Sequence, residues 1–439
     1  MAAEVYTFGD VTFDAAERRL ARAGRSISLT ARANGVLAAL VRAPGRLVTR
    51  DALLDAVWPD ANVEEGILTV YVSGLRKALG DSPDAPRFIE TVSGSGYRFI
   101  APVAAQAAPS SASNGIHTRS SDPSIHELIG RGRFHRMSAS RDEIGKAVAA
   151  FESAIAIDPA YAAAHAGLAL AYCAQVELRC APAAEAYERA RAAALRALAM
   201  DNRSADAQVA LGAVLFLAEW DWLAARRSLE RALELDPNHT EAYLLYGRLL
   251  EALGALDDGL QTKMNSLERD PFSPAVHLQI SLSYWNQRQY DRSIDWANRT
   301  LDLDPQHLLA REHLAGAYWK LGDFDRHMAE NIRHAEAYGI PADALQPLKN
   351  AYAAGGRRAV VRDALETAAA GRQKMPPMQL ALLYGEVDEM DRAFEQLNRA
   401  IDARDPCLVH LAVAPQWDCL RDDGRFAQCL SRMHLLADP

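Results

Sequence analysis

The stretch Asn62-Val-Glu-Glu-Gly-Ile-Leu-Thr-Val-Tyr-Val-Ser-Gly-Leu-Arg-Lys-Ala-Leu79 decides the fold of the N-terminal region. Its apolar residues recur with the period of one helix face, at Leu68, Val72, Leu75 and Leu79. The opposite face carries hydroxyl and basic side chains, namely Thr69, Ser73, Arg76 and Lys77. Gly80-Asp81 and Pro83 then end the pattern. The sequence therefore predicts one amphipathic helix over residues 62–79.

Two short runs typical of strands follow this helix, at residues 87–92 and 97–100. Between them lies Ser93-Gly-Ser-Gly96, whose glycines supply the positive φ that a tight hairpin needs. A helix followed at once by a β-hairpin is the layout of a winged helix-turn-helix. In that fold the helix enters the DNA major groove, and the hairpin, or wing, lies along the adjacent backbone or minor groove.

The same residues resemble the output domain of OmpR/PhoB-type response regulators. Three runs carry the resemblance: Leu75-Arg-Lys-Ala-Leu-Gly-Asp81, Arg87-Phe-Ile-Glu-Thr-Val-Ser-Gly-Ser-Gly-Tyr-Arg-Phe99 and, upstream, Thr49-Arg-Asp-Ala-Leu-Leu-Asp-Ala-Val-Trp58. It covers residues 1–103 and implies an α+β winged helix that binds specific double-stranded DNA and controls transcription. It further implies an activator, a contact of the loop 59–63 with RNA polymerase, and dimerisation on a direct-repeat site.

The exposed face of the helix supplies the candidates for DNA contacts. We expect bases to be read by Thr69, Ser73 and Arg76, and phosphate or wing contacts to come from Arg50, Lys77, Ser95 and Arg98. Relatives often carry Arg or Lys where this chain has Ser73 and Gly74, and a wing Arg in place of Ser93. A bidentate Arg–guanine contact contributes roughly 1–3 kcal/mol of discrimination. The few arginines therefore predict modest intrinsic specificity, or reliance on dimers and DNA shape.

The flanking residues fit the same domain. Residues 5–20 alternate apolar and polar side chains and, with residues 26–29, predict a small antiparallel sheet. Thr30 and Thr49 are candidate N-caps of two supporting helices. Tyr97 and Phe99 are expected in the core. Residues 104–124, rich in Ser, Ala, Gly and Pro, predict a flexible linker.

Residues 125–439 read as an all-α tetratricopeptide solenoid. Aspartates that end helices recur 43, 35, 34 and 34 residues apart, at Asp158, Asp201, Asp236, Asp270 and Asp304. A 34-residue period of paired helices resembles the tetratricopeptide repeat. We expect seven or eight helix pairs around one groove, a nine-residue insertion near residues 173–181, and a C-terminal cap over residues 416–436. Beyond Pro305 the period weakens, where His327 and Asn331 replace apolar residues.

The repeats allow two interpretations that the sequence does not separate. They could be a structural or dimerising scaffold, or their groove could bind a protein segment or small effector. Aromatic and basic residues that could line a groove are Arg248, Tyr284, Trp285, Arg288, Arg311, Tyr318 and Trp319. The histidines and cysteines show no metal-binding spacing, and no catalytic constellation or phosphate loop is evident. We therefore expect neither an enzyme nor a cofactor.

Charge and composition narrow the function further. The net charge is −9, while twelve basic and twelve acidic residues balance within residues 1–103. Five scattered cysteines fit a reducing cytoplasm, and no apolar run is long enough to span a membrane. No leader or receiver domain is expected before the winged helix, so regulation should act through the repeats. The prediction is a bacterial one-component transcriptional regulator; the alternative is an interaction scaffold whose DNA-binding domain is weak or degenerate.

Overall fold

The computed structural model describes residues 4–435 except 16–18, 23–24, 30, 58–65, 108–122, 138–140, 338–344 and 373. The chain divides into two compact units. The first comprises Met1–Ile116, Met264–Leu278 and Asn298–Pro305, and the second comprises His117–Lys263, Gln279–Ala297 and Gln306–Pro439. The expected helix start at residues 62–65, the cap Thr30, the loop 59–63 and most of the linker lie outside the described residues.

The first unit opens with an antiparallel sheet of five strands in the order β4-β3-β2-β1-β8. The strands are β1 (Glu4–Phe8), β2 (Val11–Asp14), β3 (Arg19–Arg22), β4 (Arg25–Ser28) and β8 (Ala104–Ala107). Strand β8 pairs with β1, with Tyr6 opposite Ala105. The linker prediction is therefore wrong for residues 104–107, because β1 offers them an edge to which they hydrogen-bond.

Three helices and a second sheet complete the winged helix. The helices are α1 (Ala31–Val41), α2 (Arg50–Val57) and α3 (Gly66–Leu79), and the sheet has the order β5-β7-β6. Its strands are β5 (Leu47–Thr49), β6 (Ile89–Val92) and β7 (Gly96–Phe99). Thr49 caps α2 as expected, because its Oγ1 accepts a hydrogen bond of 3.2 Å from the Ala52 N–H.

The wing depends on its turn glycines and on Asp81. Gly94 has φ +71° and Gly96 φ +154°, and a Cβ at Gly96 would lie 2.2 Å from the Val48 carbonyl oxygen of β5. The Asp81 carboxylate, just after α3, accepts hydrogen bonds from the N–H groups of Arg87, Phe88 and Ile89 at 2.6, 3.2 and 2.8 Å. The end of the helix is thereby fixed to the start of the wing.

The apolar stripe of α3 is buried as its period predicts, and so are Tyr97 and Phe99. They pack with Phe8 and Phe88, whose rings contact edge to face at 5.6 Å. Two residues from the distant segments of the first unit, Phe272 and Leu303, belong to the same apolar core. The core of the winged helix thus includes side chains that lie far along the chain.

The remaining helices form a tetratricopeptide array, in which the segment Gln346–Ala369 is interrupted by non-helical backbone at Gly355 and Gly356. They are α4 (Pro123–Met137), α5 (Arg141–Ile157), α6 (Ala162–Glu177), α7 (Ala183–Met200), α8 (Ala205–Val214) with a π-helical turn Leu215–Glu219, α9 (Trp222–Leu235), α10 (Thr240–Ala252), α11 (Leu256–Arg269), α12 (Pro274–Asn286), α13 (Tyr290–Leu303), α14 (Leu308–Leu321), α15 (Phe324–Ala337), α16 (Gln346–Ala369), α17 (Pro377–Glu386) and α18 (Met390–Asp402). Two 3₁₀ turns, Pro406–His410 and Pro415–Leu420, and α19 (Gly424–Arg432) follow.

Close helix packing explains the small residues of the repeat. Ala147, Ala190, Ala225 and Ala393 are buried, and a Cβ at Gly167 would lie 2.3 Å from the Phe151 ring. The expected insertion is not an extra loop. Helices α6 and α7 have 16 and 18 residues, whereas α10 and α11 have 13 and 14, so most of the additional residues lengthen the two helices and two lengthen the connection between them.

Polar contacts replace apolar ones where the repeat pattern weakens. The His327 ring Nδ1 lies 2.8 Å from the Ala315 carbonyl oxygen, and Asn331 donates at 2.8 Å to the His327 carbonyl. The first bond links α15 to α14, the second lies within α15, and together they satisfy the two polar side chains. The helix pair therefore forms although its sequence departs from the pattern.

Candidate DNA interface and repeat interior

Three of the candidate DNA-contacting side chains form one row on α3. Thr69, Ser73 and Lys77 are four residues apart and exposed, on the side of the helix away from its buried stripe. Such a row brings two hydroxyl groups and one ammonium group to the same side of the helix. Hydroxyls can bond to base edges or to phosphate, and the ammonium to phosphate.

Arg76 and Arg98 are engaged within the domain. The Arg76 Nη2 donates to the Ile89 carbonyl oxygen and to Thr91 Oγ1, both at 2.8 Å, and thus ties α3 to β6. Arg98 donates at 2.8 Å to the carboxylate of Glu90 on the neighbouring strand. Either arginine would have to give up these partners to contact DNA fully.

Arg50 and Ser95 lie together at the edge of the wing. The Arg50 backbone N–H donates at 3.2 Å to the Ser95 carbonyl oxygen, so the first residue of α2 adjoins the exposed wing turn. Ser95 is exposed in that turn, whereas Arg50 is half-buried.

The next face of α3 is covered, which the sequence did not suggest. Tyr71 is 2% exposed, and its hydroxyl donates at 3.1 Å to the Leu303 carbonyl oxygen. Its ring stacks on Phe272 at a centroid distance of 6.1 Å and an interplanar angle of 5°. One turn along, a Cβ at Gly74 would lie 2.2 Å from the Phe272 ring. The sequence signal for this contact is Phe272, an aromatic residue at a loop position where the other repeats have small or polar residues.

In the second unit, the chain's own C-terminal segment bonds to three of the candidate groove residues. The His410 ring Nε2 lies 3.2 Å from the Arg248 carbonyl oxygen. Trp285 donates at 3.1 Å to the side chain of Gln416, and Arg288 forms a bidentate pair with Asp418 at 2.5 and 3.1 Å. These three residues therefore already have partners within the chain.

The other candidate groove residues make contacts within the repeats. Tyr284 lies under the guanidinium of Arg292 at 5.6 Å, and Trp319 under that of Arg357 at 4.5 Å. Arg311 pairs with Glu330 at 3.6 Å, and Tyr318 is buried. Packing accounts for these side chains, so an open effector site does not follow from them.

A fully buried ion pair joins α10, α11 and α12. The Lys263 ammonium donates at 3.0 Å to both carboxylate oxygens of Glu251, at 3.0 Å to Ser283 Oγ and at 3.2 Å to the Gln279 carbonyl oxygen. Burial lowers the pKa of Lys263, and the Glu251 carboxylate opposes that shift. Both side chains are 1% exposed, so the pair is part of the core.

Cysteine and metal chemistry find no support in the described part of the chain. Burial raises the pKa of both Cys173 and Cys180, which favours the unreactive thiol over the thiolate. No three His, Cys, Asp or Glu residues among those described are grouped to hold a metal ion. None of the described helices is long and apolar enough to cross a membrane.

Comparison with known proteins identifies both parts of the chain. Residues 24–99 match the family "Transcriptional regulatory protein, C terminal", and residues 216–279 and 278–330 match two tetratricopeptide repeat families. The chain is 38% identical over 90 residues to the transcriptional regulator HilA of Salmonella typhi, covering 20% of this chain and 16% of HilA. It is 41% identical over 91 residues to the transcriptional regulatory protein KdpE of Mycobacterium tuberculosis, covering 20% and 40%.

The chain therefore spans 16% of the length of HilA and 40% of the length of KdpE. Among solved structures, the DNA-binding domain of Escherichia coli CadC is 30% identical, with a TM-score of 0.22, covering 24% of this chain and 98% of that domain.

Proposed function

We propose that this chain, in which an OmpR/PhoB-type winged helix is joined to tetratricopeptide repeats, is a sequence-specific transcriptional regulator whose repeats bind a protein or small effector. The observation that carries the proposal is the exposed row Thr69, Ser73 and Lys77 on α3. A helix reads the major groove with the side chains opposite its buried face. This row meets that requirement beside a well-formed wing.

The contacts divide by chemistry. Thr69 and Ser73 supply short hydroxyls to base edges, and Lys77, Arg50 and Ser95 bind phosphates. Arg76 and Arg98 position the helix and the wing through their internal hydrogen bonds. A direct DNA contact by either arginine would break some of these bonds. The discrimination at any one base pair is then modest, and binding of two copies to a direct repeat would raise the overall specificity.

The sign of regulation, the polymerase contact and dimerisation are proposed from the likeness to OmpR/PhoB-type regulators. An activator that acts in the bacterial cytoplasm, contacts RNA polymerase through the loop 59–63 and dimerises on DNA fits the OmpR/PhoB type. The effector would bind the repeats away from Arg248, Trp285 and Arg288, or displace the C-terminal segment from them.

A scaffold with a degenerate DNA-binding domain is the second candidate. The internal hydrogen bonds of Arg76 and the ion pair of Arg98 with Glu90 favour it, because both guanidinium groups already have partners within the domain. Both candidates share the fold, so DNA binding by the intact protein decides between them.

The test is selection of duplexes from a random-sequence DNA library by the full-length protein at near-physiological salt. We expect one repeated motif to be enriched, and Lys77→Ala to weaken binding to it and reduce the salt slope by about one. Lys374→Ala, which removes an exposed lysine of the second unit, is the matched control and should change neither. Folded protein that enriches no motif would support the scaffold instead.

A further inference from the structure

Phe272 occupies a loop position at which the other repeats expose their side chain. The residue two places after each helix-ending aspartate is exposed in four repeats, at Ala160, Arg203, Asn238 and Gln306. In the fifth repeat this residue is Phe272, which is 1% exposed. An aromatic side chain at a solvent position of the repeat is buried only when something outside that loop covers it.

The cover is helix α3. The Tyr71 ring stacks on Phe272, and the Phe272 ring lies so close to Gly74 that a Cβ there would be 2.2, 2.9 and 3.2 Å from three of its atoms. Glycine at position 74 therefore leaves the space that the ring fills. Nearby, Leu303 accepts hydrogen bonds from Tyr71 and, at 3.4 Å, from Arg32 of α1.

This contact lies on a flank of the helix that DNA would have to accommodate. Gly74 precedes Lys77 by three residues, so the Phe272 ring at Gly74 lies beside one end of the exposed row on α3. The major groove is about 12 Å wide, and a helix with its side chains is about 10–12 Å across. The groove therefore leaves no room for the segment Met264–Leu278 beside the helix.

We propose that the Phe272 loop (residues 270–273) is an internal lock on the recognition helix, and that DNA and Phe272 compete for α3. This inference rests on the proposed DNA-binding function. The DNA-competent state is the one in which Phe272 has left Tyr71 and Gly74. A ligand of the repeats that binds the released state better would activate DNA binding by shifting this equilibrium.

The size of the effect follows from the burial of one aromatic side chain. Full burial of a Phe side chain corresponds to a population ratio of roughly tenfold to a hundredfold in favour of the locked state. The apparent dissociation constant for DNA rises by the same factor, because only the released fraction is competent.

The test compares full-length wild type with Phe272→Asn, which places at this position the residue type of the same loop in another repeat. Asn238→Ala is the matched control. One readout is retention of random-sequence duplex DNA at near-physiological salt, and the other is amide hydrogen exchange in Gly66–Leu79. We expect Phe272→Asn to bind DNA roughly tenfold to a hundredfold more tightly and to exchange faster in α3, with the control unchanged.

A second variant keeps the test independent of the loop's own folding. Gly74→Ala should accelerate exchange in Met264–Leu278, because the added methyl group displaces the Phe272 ring. Unchanged exchange in both variants would overturn the lock, as would faster exchange with unchanged or weaker DNA binding. If neither wild type nor Phe272→Asn retained any duplex, the proposed DNA-binding function would fail along with the lock.

Discussion

Replacing Lys263 with methionine should strongly destabilise the repeats. Its ammonium group makes four hydrogen bonds in a site that excludes water, to Glu251, Ser283 and the Gln279 carbonyl. Methionine fills a similar volume but leaves the Glu251 carboxylate buried without its counter-ion. Loss of one partner from a buried pair costs about 3–5 kcal/mol. We therefore expect Lys263→Met to lower the free energy of unfolding by that amount.

Urea denaturation followed by far-UV circular dichroism measures this loss. Lys146→Met is the matched control, because Lys146 pairs with Glu143 at the surface and is 58% exposed. Its substitution should cost less than about 1 kcal/mol. Adding Glu251→Leu to Lys263→Met should recover most of the stability, since the unpaired charge is removed. A Lys263→Met protein within about 1 kcal/mol of wild type would refute the assignment of a buried ion pair.

Two further predictions concern the first unit. Arg76→Ala should lower its stability by about 1.5–3 kcal/mol and accelerate hydrogen exchange in Ile89–Val92, because two charge-assisted hydrogen bonds to β6 are lost; unchanged exchange there would exclude the bracing role. Burial raises the pKa of Asp270 to about 7, so the folded state retains a proton that the unfolded chain releases above about pH 4, and stability falls as pH rises from about 4 to 7. Relative to wild type, Asp270→Asn should therefore gain stability across this window, by up to about 4 kcal/mol in urea denaturation, and a pH-independent difference would contradict the buried carboxyl. Burial also lowers the pKa of nearby His277, to about 4, but that effect is common to both proteins and cancels in their difference.

Structural features that depend on residues close together in the sequence could be predicted from it. The stripe of α3 follows from its period, the wing turn from Gly94 and Gly96, and the α2 cap from Thr49. The aspartate spacing likewise predicted paired helices. Each of these depends on residues close in sequence, so that spacing and side-chain type suffice.

Features that depend on distant partners could not be read in the same way. Strands β5 and β8 have three and four residues, too few for a clear alternation, and β8 pairs with β1 from the other end of the domain. The bidentate pair of Arg288 and Asp418 joins residues 130 positions apart. The candidate DNA contacts were equally ambiguous, because the residues alone do not show that Arg76 and Arg98 have internal partners.

The most direct test of DNA recognition by this winged helix is hydrogen exchange of the full-length protein with and without the duplex it selects. Bound DNA should slow exchange in Gly66–Leu79 and in the wing strands Ile89–Val92 and Gly96–Phe99, and leave α17 and α18 unchanged. Under the internal lock, exchange in Met264–Leu278 should become faster at the same time. Protection elsewhere, with α3 and the wing unaffected, would contradict recognition of DNA by this helix.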